Sequence, residues 1–293
     1  MARLTGGRSR PIDPDGELYQ RRALQALPIL VRQALAAQPI YYSEIARELD
    51  MPLARNMNYV LGSIGNSLRV LGTSWGEDLP PLQALAINKA TGMPGEGFAE
   101  FVTDPVAFRK APRHVRRQIV QGLLTGIYSY PNWLAVLNHF NAPLPASPPP
   151  ELLRAVGGPS YLGGEAESEA HRAFKIFIAN NPTVLGLKRV RETVIEHCFP
   201  SGDEVDIRFE TAQEVIVVEV KSRISGEKDI LRGIFQCVKY QALIDAELIV
   251  ARRRIDAQTM LVLEGSLPAT LRGVANALGV AVIESIRRQE GPD

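Results

Sequence analysis

Two charged residues at the end of an apolar segment are the first feature of this sequence that could do chemistry. The segment VIVVEVKS, Val215 to Ser222, places Glu219 and Lys221 two positions apart. Because side chains alternate faces along a strand, this spacing predicts that the carboxylate and the amine share one face. Such a pair fits either a weak surface ion pair or the carboxylate and lysine of a metal-dependent phosphodiesterase.

A second carboxylate lies upstream in VDIRF, where alternating apolar residues predict a strand with Asp206 on its polar face. If a turn near Thr211 to Gln213 joins the two strands, Asp206 comes close to Glu219 and Lys221. Two carboxylates and a substrate phosphate are enough to hold Mg²⁺, which prefers oxygen ligands. The expected chemistry is phosphodiester hydrolysis, with Lys221 orienting or deprotonating a water or stabilising the transition state.

The pattern D-x12-E-V-K on consecutive predicted strands resembles the PD-(D/E)XK, or restriction-endonuclease-like, nuclease superfamily. Val205 stands before Asp206, where that motif usually has a proline. The predicted helix RGIFQCVKYQALID follows the lysine strand and carries Gln236 and Tyr240 one turn apart on one face. This Q-x-x-x-Y helix is similar to that of the exonuclease-like branch. The resemblance covers roughly residues 165–285.

The resemblance implies a Mg²⁺-dependent deoxyribonuclease, in which Mn²⁺ can substitute for Mg²⁺. Asp206 and Glu219 are then the metal ligands, and Lys221 lies beside the attacking water. Gln236 and Tyr240 are expected to position the phosphate or the lysine strand. DNA is the expected partner, and a homodimer is possible because many nucleases of this fold dimerise.

A further carboxylate is expected from the helix GEAESEAHRAFKIFIANN, because the superfamily often supplies one upstream. Glu167 lies near the apolar stripe of that helix and is the preferred catalytic residue and metal ligand. Glu169 is the alternative, and either residue fits equally well an acidic first turn that favours the helix dipole. His171 and His197 are predicted to be solvated or packed rather than ligands.

The order of predicted helices and strands around these residues indicates an α/β fold with a central mixed sheet flanked by helices. The predicted helices after the upstream acidic helix span Glu227 to Ala246 and about Ala257 to Leu278. The predicted strands are Val190 to Cys198, VDIRF, EVIVVEVKS, ELIVA at Glu247 to Ala251, and VAVIE at Val280 to Glu284.

The N-terminal half predicts a mainly helical, winged-helix-like domain. Helical spacing is present in Ala23–Gln38, Tyr42–Met51 and Asn58–Leu71, followed by a predicted strand, Leu82–Lys89, and a glycine-rich turn. On this interpretation, the helix near Arg55 to Arg69 enters a DNA groove. The basic segment FRKAPRHVRRQ fits either a solvated helix face or a phosphate-contacting patch. The turn GMPGEG lacks a P-loop lysine, so no nucleotide cofactor is expected.

A Pro- and Gly-rich linker at 141–164 divides the 293 residues into two predicted domains. A flexible N-terminus, 1–20, precedes the winged-helix-like DNA-binding or interaction domain, 21–140, and the nuclease domain spans 165–293. Residues 1–150 hold 15 Lys and Arg against 11 Asp and Glu, whereas the remainder is slightly acidic. No apolar run could span a bilayer, the N-terminus shows no signal peptide and Cys198 and Cys237 form no CxxC pair, so a cytoplasmic protein is expected.

Two other functions fit the same residues. One is an inactive nuclease fold that binds DNA or acts as a regulatory module, although the intact Asp, Glu and Lys positions favour activity. The other is a structure-specific binder that cleaves only with a partner. The sequence does not decide whether DNA or RNA is cut, or whether cleavage starts at ends or at internal positions. It also does not decide between a role in defence against foreign DNA and a role in repair.

Overall fold

The computed structural model describes residues 9–52, 54, 56–145 and 168–288. The chain divides into two compact units, Met1–Ala146 and Ser147–Asp293. Most of the expected linker, together with Arg55 and Glu167, lies outside the described residues. Within the described ranges, no helix is both long enough and apolar enough to cross a bilayer.

The N-terminal unit is mostly helical. Its elements, in chain order, are α1 Leu18–Leu35, β1 Ile40–Tyr41, α2 Tyr42–Glu48, α3 Met57–Trp75, β2 Ala86–Ile87, α4 Pro105–Lys110, α5 Arg113–Ser129 and α6 Trp133–His139. Short 3₁₀ turns form at Leu82–Leu85 and Glu96–Phe101. Strand β2 pairs in parallel with β1 over only two residues. The first half of the strand expected over Leu82–Lys89 is therefore a 3₁₀ turn, whose four residues are all buried in the core of this unit, and only Ala86 and Ile87 form a strand.

Helix α3 lies at the centre of this unit, which bears on the expectation that the segment near Arg55 to Arg69 enters a DNA groove. Apolar residues such as Val60, Ile64 and Leu68 are buried, and so are the small residues between them, Gly62, Ser63, Gly65 and Ser67. Small residues allow neighbouring elements to approach α3 on more than one side. The middle of α3 is therefore covered by its own unit, and exposed residues such as Asn58, Arg69 and Val70 lie on either side of it along the helix.

The C-terminal unit is a mixed α/β layer structure. Its elements, in chain order, are α7 Glu169–Asn180, β3 Glu192–Cys198, β4 Glu204–Glu210, β5 Glu214–Lys221, α8 Glu227–Val250, β6 Asp256–Leu263, α9 Ala269–Ala277 and β7 Ala281–Ile283. The strands form one sheet in the order β3-β4-β5-β6-β7. The first three strands pair antiparallel and the last three pair in parallel. The expected mixed sheet flanked by helices is confirmed.

Helices cover both faces of this sheet. On one face, Phe174 and Ile178 of α7 pack with Ile216, Val218 and Val220 of β5. On the other face, Tyr240 and Ile244 of α8 pack with the intervening residues Val215 and Val217, and α9 packs beside α8. A strand covered on both faces must be apolar along its whole length, which explains the run VIVV.

Two expected elements were wrong. Glu247 to Val250 forms the last turn of α8 rather than a strand, because Tyr240, Ile244 and Leu248 recur every four residues and bury together. Residues 256–263 form strand β6 rather than the start of a helix. Strand β6 pairs with β5 along its entire length, and burial from both faces makes MLVL continuously apolar, a pattern that also occurs in buried helices.

Candidate active site

The candidate site lies where strands β4 and β5 separate. Their ladder runs from Glu210 opposite Val215 to Ile207 opposite Val218 and stops there. The next opposed positions are Asp206 and Glu219. The Val220 N–H donates to Asp206 Oδ2 at 2.8 Å, so a side chain replaces the next backbone acceptor. This replacement opens a gap between the two strands with a carboxylate in it.

Glu219 and Lys221 form a close pair on the α8 side of β5. The Lys221 Nζ donates to Glu219 Oε1 at 2.6 Å, and Glu219 is only 4% exposed. Burial raises the pKa of Glu219 to about 7, since the attraction of Lys221 is opposed by the nearby charge of Asp206. Near neutral pH, this carboxyl group can therefore hold or release a proton.

Helix α8 fixes the position of Lys221. Gln236 Oε1 lies 3.4 Å from the lysine Nζ, and Gln236 Nε2 donates to the hydroxyl of Tyr240 at 3.3 Å. That hydroxyl donates to the carbonyl of Glu204 at 2.7 Å, and burial raises the pKa of Tyr240. A Cβ at Gly233 would lie 2.9 Å from the Lys221 Cε, so the glycine leaves room for the lysine stem. The expected Q-x-x-x-Y pair thus connects Lys221 to the start of β4.

The second oxygen of Asp206 faces helix α7. His171 Nε2 lies 3.3 Å from Asp206 Oδ1, and Lys175 Nζ lies 3.8 Å from the same oxygen. Burial raises the pKa of Asp206, but hydrogen bonds from His171 and the Val220 N–H outweigh this effect and bring it below its ordinary value. Asp206 is therefore ionised under ordinary conditions.

The gap, rather than a common strand face, brings Asp206 near Glu219 and Lys221. The sequence suggested that Val205 and Ile207 share a face, leaving Asp206 with Glu219 on the other. Instead, Val205 packs on the α8 side and Ile207 on the α7 side. The strand therefore changes face at Asp206, whose side chain points between the strands to reach the Val220 N–H.

Strand β3 is also distorted at this position. Glu196 lies opposite Asp206 in the β3–β4 register, where the ladder skips one pair, and its φ is 55°. A glutamate in the left-handed region is strained, and such strain is concentrated at functional sites. Lys175 donates to Glu196 Oε1 at 2.7 Å and lowers the pKa of that carboxyl group. Lys175 itself is buried and lies between the two carboxylates.

His171 and Lys175 were missed as site residues. The sequence predicted a packed or solvated His171, and Lys175 was not predicted to belong to the site. Their spacing could have identified them, because both lie on the same face of the helix as the buried residues Phe174 and Ile178. Polar residues on a buried stripe need partners, and here Asp206 is the common one.

The upstream carboxylate is only partly placed. Glu167, the preferred candidate, lies outside the described residues. Glu169 is the first residue of α7 and is exposed, while Ser168 accepts the His171 N–H at 3.1 Å as the N-cap. This position suits the interpretation of Glu169 as an acid that favours the helix dipole.

Asp206 and Glu219 are the groups that could hold a metal ion. Among the residues that the structure describes, no cluster of three or more His, Cys, Asp or Glu side chains is arranged for metal binding. Mg²⁺ can bind through one or two carboxylates together with substrate phosphates, so this pair suits it. A buried carboxyl group such as Glu219, with its raised pKa, would also be stabilised in its ionised form by a cation.

Comparison with family models, curated proteins and solved structures gives no match.

Proposed function

We propose that the C-terminal unit is a Mg²⁺-dependent nuclease of the PD-(D/E)XK type that hydrolyses phosphodiester bonds in DNA. The observation that carries this proposal is the gap between β4 and β5, where Asp206 lies beside the Glu219–Lys221 pair. A weak surface ion pair is a poorer explanation, because Glu219 is buried and a buried carboxylate is costly without a purpose.

In this mechanism, Asp206 and Glu219 would hold the metal ion. When bound, Mg²⁺ would offset the charge that builds up on the scissile phosphate and lower the pKa of an attacking water. Lys221 places its ammonium group 2.6 Å from Glu219, where it can stabilise negative charge on the phosphate. Gln236 limits the movement of that ammonium group through the contact at 3.4 Å.

His171 and Lys175 are positioning residues in this proposal. His171 holds one oxygen of Asp206, which directs the other oxygen to the Val220 N–H. Lys175 adds positive charge 3.8 Å from Asp206. Both effects favour the ionised carboxylate that a metal ligand requires.

For the N-terminal unit we propose a winged-helix-like domain that contacts DNA phosphates. Exposed basic residues concentrate in and just before the first turns of α5, with no acidic residue in its first turn. Arg109 and Lys110 lie in the last turn of α4, where positive charge suits the helix dipole, whereas Arg113 lies in the first turn of α5, where it does not. Four exposed cations therefore lie close together along the chain, a pattern that suits phosphate contact: Arg109, Lys110, Arg113 and Arg117.

The test is cleavage of linear, circular, single-stranded and double-stranded DNA by the full chain, with Mg²⁺, Mn²⁺ or EDTA. Asp206→Asn and Glu219→Gln should each reduce metal-dependent cleavage by at least a hundredfold, because each removes a ligand charge without changing size. Asp256→Asn, at an exposed position in the same sheet, and Glu214→Gln, on the same strand as Glu219, are matched controls that should retain activity.

The outcome separates the two main functions. A folded Asp206→Asn protein with full activity would remove the nuclease proposal. DNA binding by the wild-type protein, without cleavage under any metal condition, would favour the inactive DNA-binding module. An RNA substrate run in parallel decides which nucleic acid is cut.

A further inference from the structure

A long segment of the N-terminal unit lacks acidic residues, lysine and arginine. Residues 118–150 contain no Asp, Glu, Lys or Arg, although 22% of the whole chain is charged. The described part of it, 118–145, covers most of α5 and all of α6, and is called here the uncharged segment. It exposes three large apolar side chains: Ile119, Leu134 and Leu144. Because the centres of protein–protein interfaces are depleted in charged residues, this surface suits a protein partner and not a nucleic acid.

Helix α5 is apolar on two faces. On one face, Val120, Leu124 and Ile127 are buried in the core of the unit. A second face is formed by residues three or four positions apart: Val115, Ile119, Gly122 and Gly126. This second face lines one side of a mostly apolar groove of about 770 Å³, whose other side includes Leu79 and Phe108. Ile119 is 38% exposed, so the groove opens at the surface.

The two glycines on the second face of α5 leave room for another helix. A Cβ built at Gly122 or Gly126 would lie in open space, with no neighbouring group of the described chain within 4 Å. The packing of the unit therefore does not require glycine at either position, and glycine inside a helix is less favourable than alanine. The G-x-x-x-G spacing allows two helices to approach closely.

The two ends of this helix carry opposite charges. Arg113 and Arg117 lie in its first two turns. At the other end, burial and the neighbouring carboxylate of Glu77 raise the pKa of Tyr130, which directly follows α5. The next residue, Asp78, lines the same groove, and both acids are exposed. The surface along α5 therefore runs from a basic end to an acidic end.

We propose that a second copy of this chain docks along the second face of α5, with the two α5 helices antiparallel. With the crossing point at Gly122 and Leu123, Ile119 of each copy lies opposite Gly126 of the other. The basic end of each helix then lies beside the acidic end of the other, which is favourable at the rim of an interface.

The uncharged segment fits a second copy in particular. Residues near a twofold axis meet their own counterparts, so any charge at the centre of the interface would face a like charge. A surface that is uncharged at its centre and opposite in charge at its two ends avoids this repulsion when it pairs with itself. This inference depends neither on the proposed hydrolysis nor on the proposed phosphate contact.

Sedimentation velocity of the full chain over a range of concentrations, in EDTA and without nucleic acid, measures self-association. Gly126→Leu should weaken dimerisation by roughly tenfold or more, because the new side chain fills the space that Ile119 of the other copy enters. Ile119→Asp should weaken it similarly, because a charge is buried at the centre of the interface. Leu18→Asp, at an exposed position on α1, and Gly265→Leu, at another open position, are matched controls that should not change it.

Charge reversal tests the antiparallel arrangement. Asp78→Arg should weaken dimerisation, because it places like charges together where the two copies meet. Adding Arg113→Asp to the same chain should restore much of the affinity, because the opposite charges then face each other again. A double variant that dimerises no better than Asp78→Arg would overturn the antiparallel arrangement.

A disulfide between copies gives a test that does not depend on a loss of function. In a Cys198→Ser background, Ile119→Cys and Gly126→Cys proteins mixed under mild oxidation should form a linked heterodimer, and neither variant alone should link as efficiently. A monomeric wild-type protein at the highest soluble concentration overturns the proposal. It is equally overturned by a dimer that folded Gly126→Leu and Ile119→Asp variants leave unchanged, with thermal denaturation as the check on folding.

Discussion

At the residue scale, Glu219 couples the candidate site to pH. A carboxyl group with a pKa of about 7 in the folded chain and 4.5 unfolded retains a proton that the unfolded chain has lost. The free energy of unfolding should therefore fall as pH rises between these values, by at most about 1.4 kcal/mol per pH unit for one proton. Below pH 4.5, both states are protonated and this effect disappears.

Urea denaturation in EDTA at several pH values between 5 and 8 measures this dependence. Glu219→Gln has no proton to retain, so its curve should be flatter than that of the wild-type protein over this window. Glu214→Gln, a partly exposed position on the same strand, should follow the wild-type curve. Equal slopes for wild type and Glu219→Gln would mean that Glu219 is ionised throughout.

His171 should have a separate effect on Asp206. Burial raises the pKa of Asp206, and the hydrogen bond from His171 lowers it. Removing that hydrogen bond should therefore raise the pKa of Asp206. In His171→Leu, the acidic limb of the activity–pH profile should therefore move upward by about 1–2 pH units, the equivalent of one hydrogen bond to a charged group. His171→Gln, which can still donate, should recover part of the shift. An unchanged limb in both variants would show that Asp206 does not depend on His171.

Some residues of the site could be predicted from the sequence and others could not. Asp206, Glu219 and Lys221 belong to consecutive strands joined by a tight turn, so their proximity followed from local spacing. Gln236 and Tyr240 followed from the helical repeat. His171 lies 35 residues before Asp206, and no local rule relates the two positions. The change of face at Asp206 was equally hidden, because strand alternation assumes that every backbone group stays in the ladder.

At the element scale, the sheet has an exposed stretch that one side chain covers. Strand β7 pairs with only Met260 to Val262 of β6, so the preceding residues of β6 lack a neighbouring strand on the side away from β5. Gln241 of α8 accepts the Thr259 N–H at 2.9 Å and donates to the Ala257 carbonyl at 3.2 Å. Its amide therefore replaces one residue of a missing strand.

Gln241→Leu should destabilise the C-terminal unit by about 1–3 kcal/mol, because a backbone donor and acceptor lose their partners. The measurement is the free energy of unfolding in urea, with an unchanged dependence on urea concentration. Gln213→Leu, at an exposed position in the turn before β5, is the matched control and should change stability little. A loss no larger than that of the control would show that water satisfies these groups equally well.

The elements themselves were predictable where polar residues marked the pattern. Strands β4 and β5 are bounded by charged or turn residues, and their limits were close to those expected. The prediction for the final turn of α8 was wrong because Ile249 and Val250 are apolar yet exposed. Their sequence therefore resembles that of a buried strand. The prediction for the segment that forms β6 was wrong for the opposite reason. Burial on both faces removes the alternation of apolar and polar residues that identifies a strand.

At the scale of the whole molecule, the proposed roles in recognition and hydrolysis belong to different units of the chain. Each has its own hydrophobic core, and the division falls at Ala146 and Ser147. The excess of basic residues lies in the first half of the chain, whereas the candidate site lies in the second. This division falls within the Pro- and Gly-rich segment 141–164, whereas the burial of the middle of α3 was not predicted.

A fragment ending at Ala146 should therefore fold and bind duplex DNA without cutting it. Its affinity should fall as salt rises, because binding to phosphates releases counterions. If Arg113 and Arg117 contact phosphates, replacing both with Gln should weaken binding and reduce the salt dependence by roughly two in the slope of log affinity against log salt. Arg21→Gln, at an exposed position on α1, should change neither quantity.

Gel-shift titrations at several salt concentrations measure both quantities, and full-length Asp206→Asn tests whether the second unit adds affinity. A phosphate-contact role for α5 requires that the double variant lose salt dependence as well as affinity, since a general loss of folding would not selectively flatten the slope. If the folded fragment does not bind DNA at low salt, the basic turns of α5 form an ordinary solvated surface. The N-terminal unit would then be better explained as a protein-interaction or dimerisation domain, a possibility that sedimentation of the same fragment would test directly.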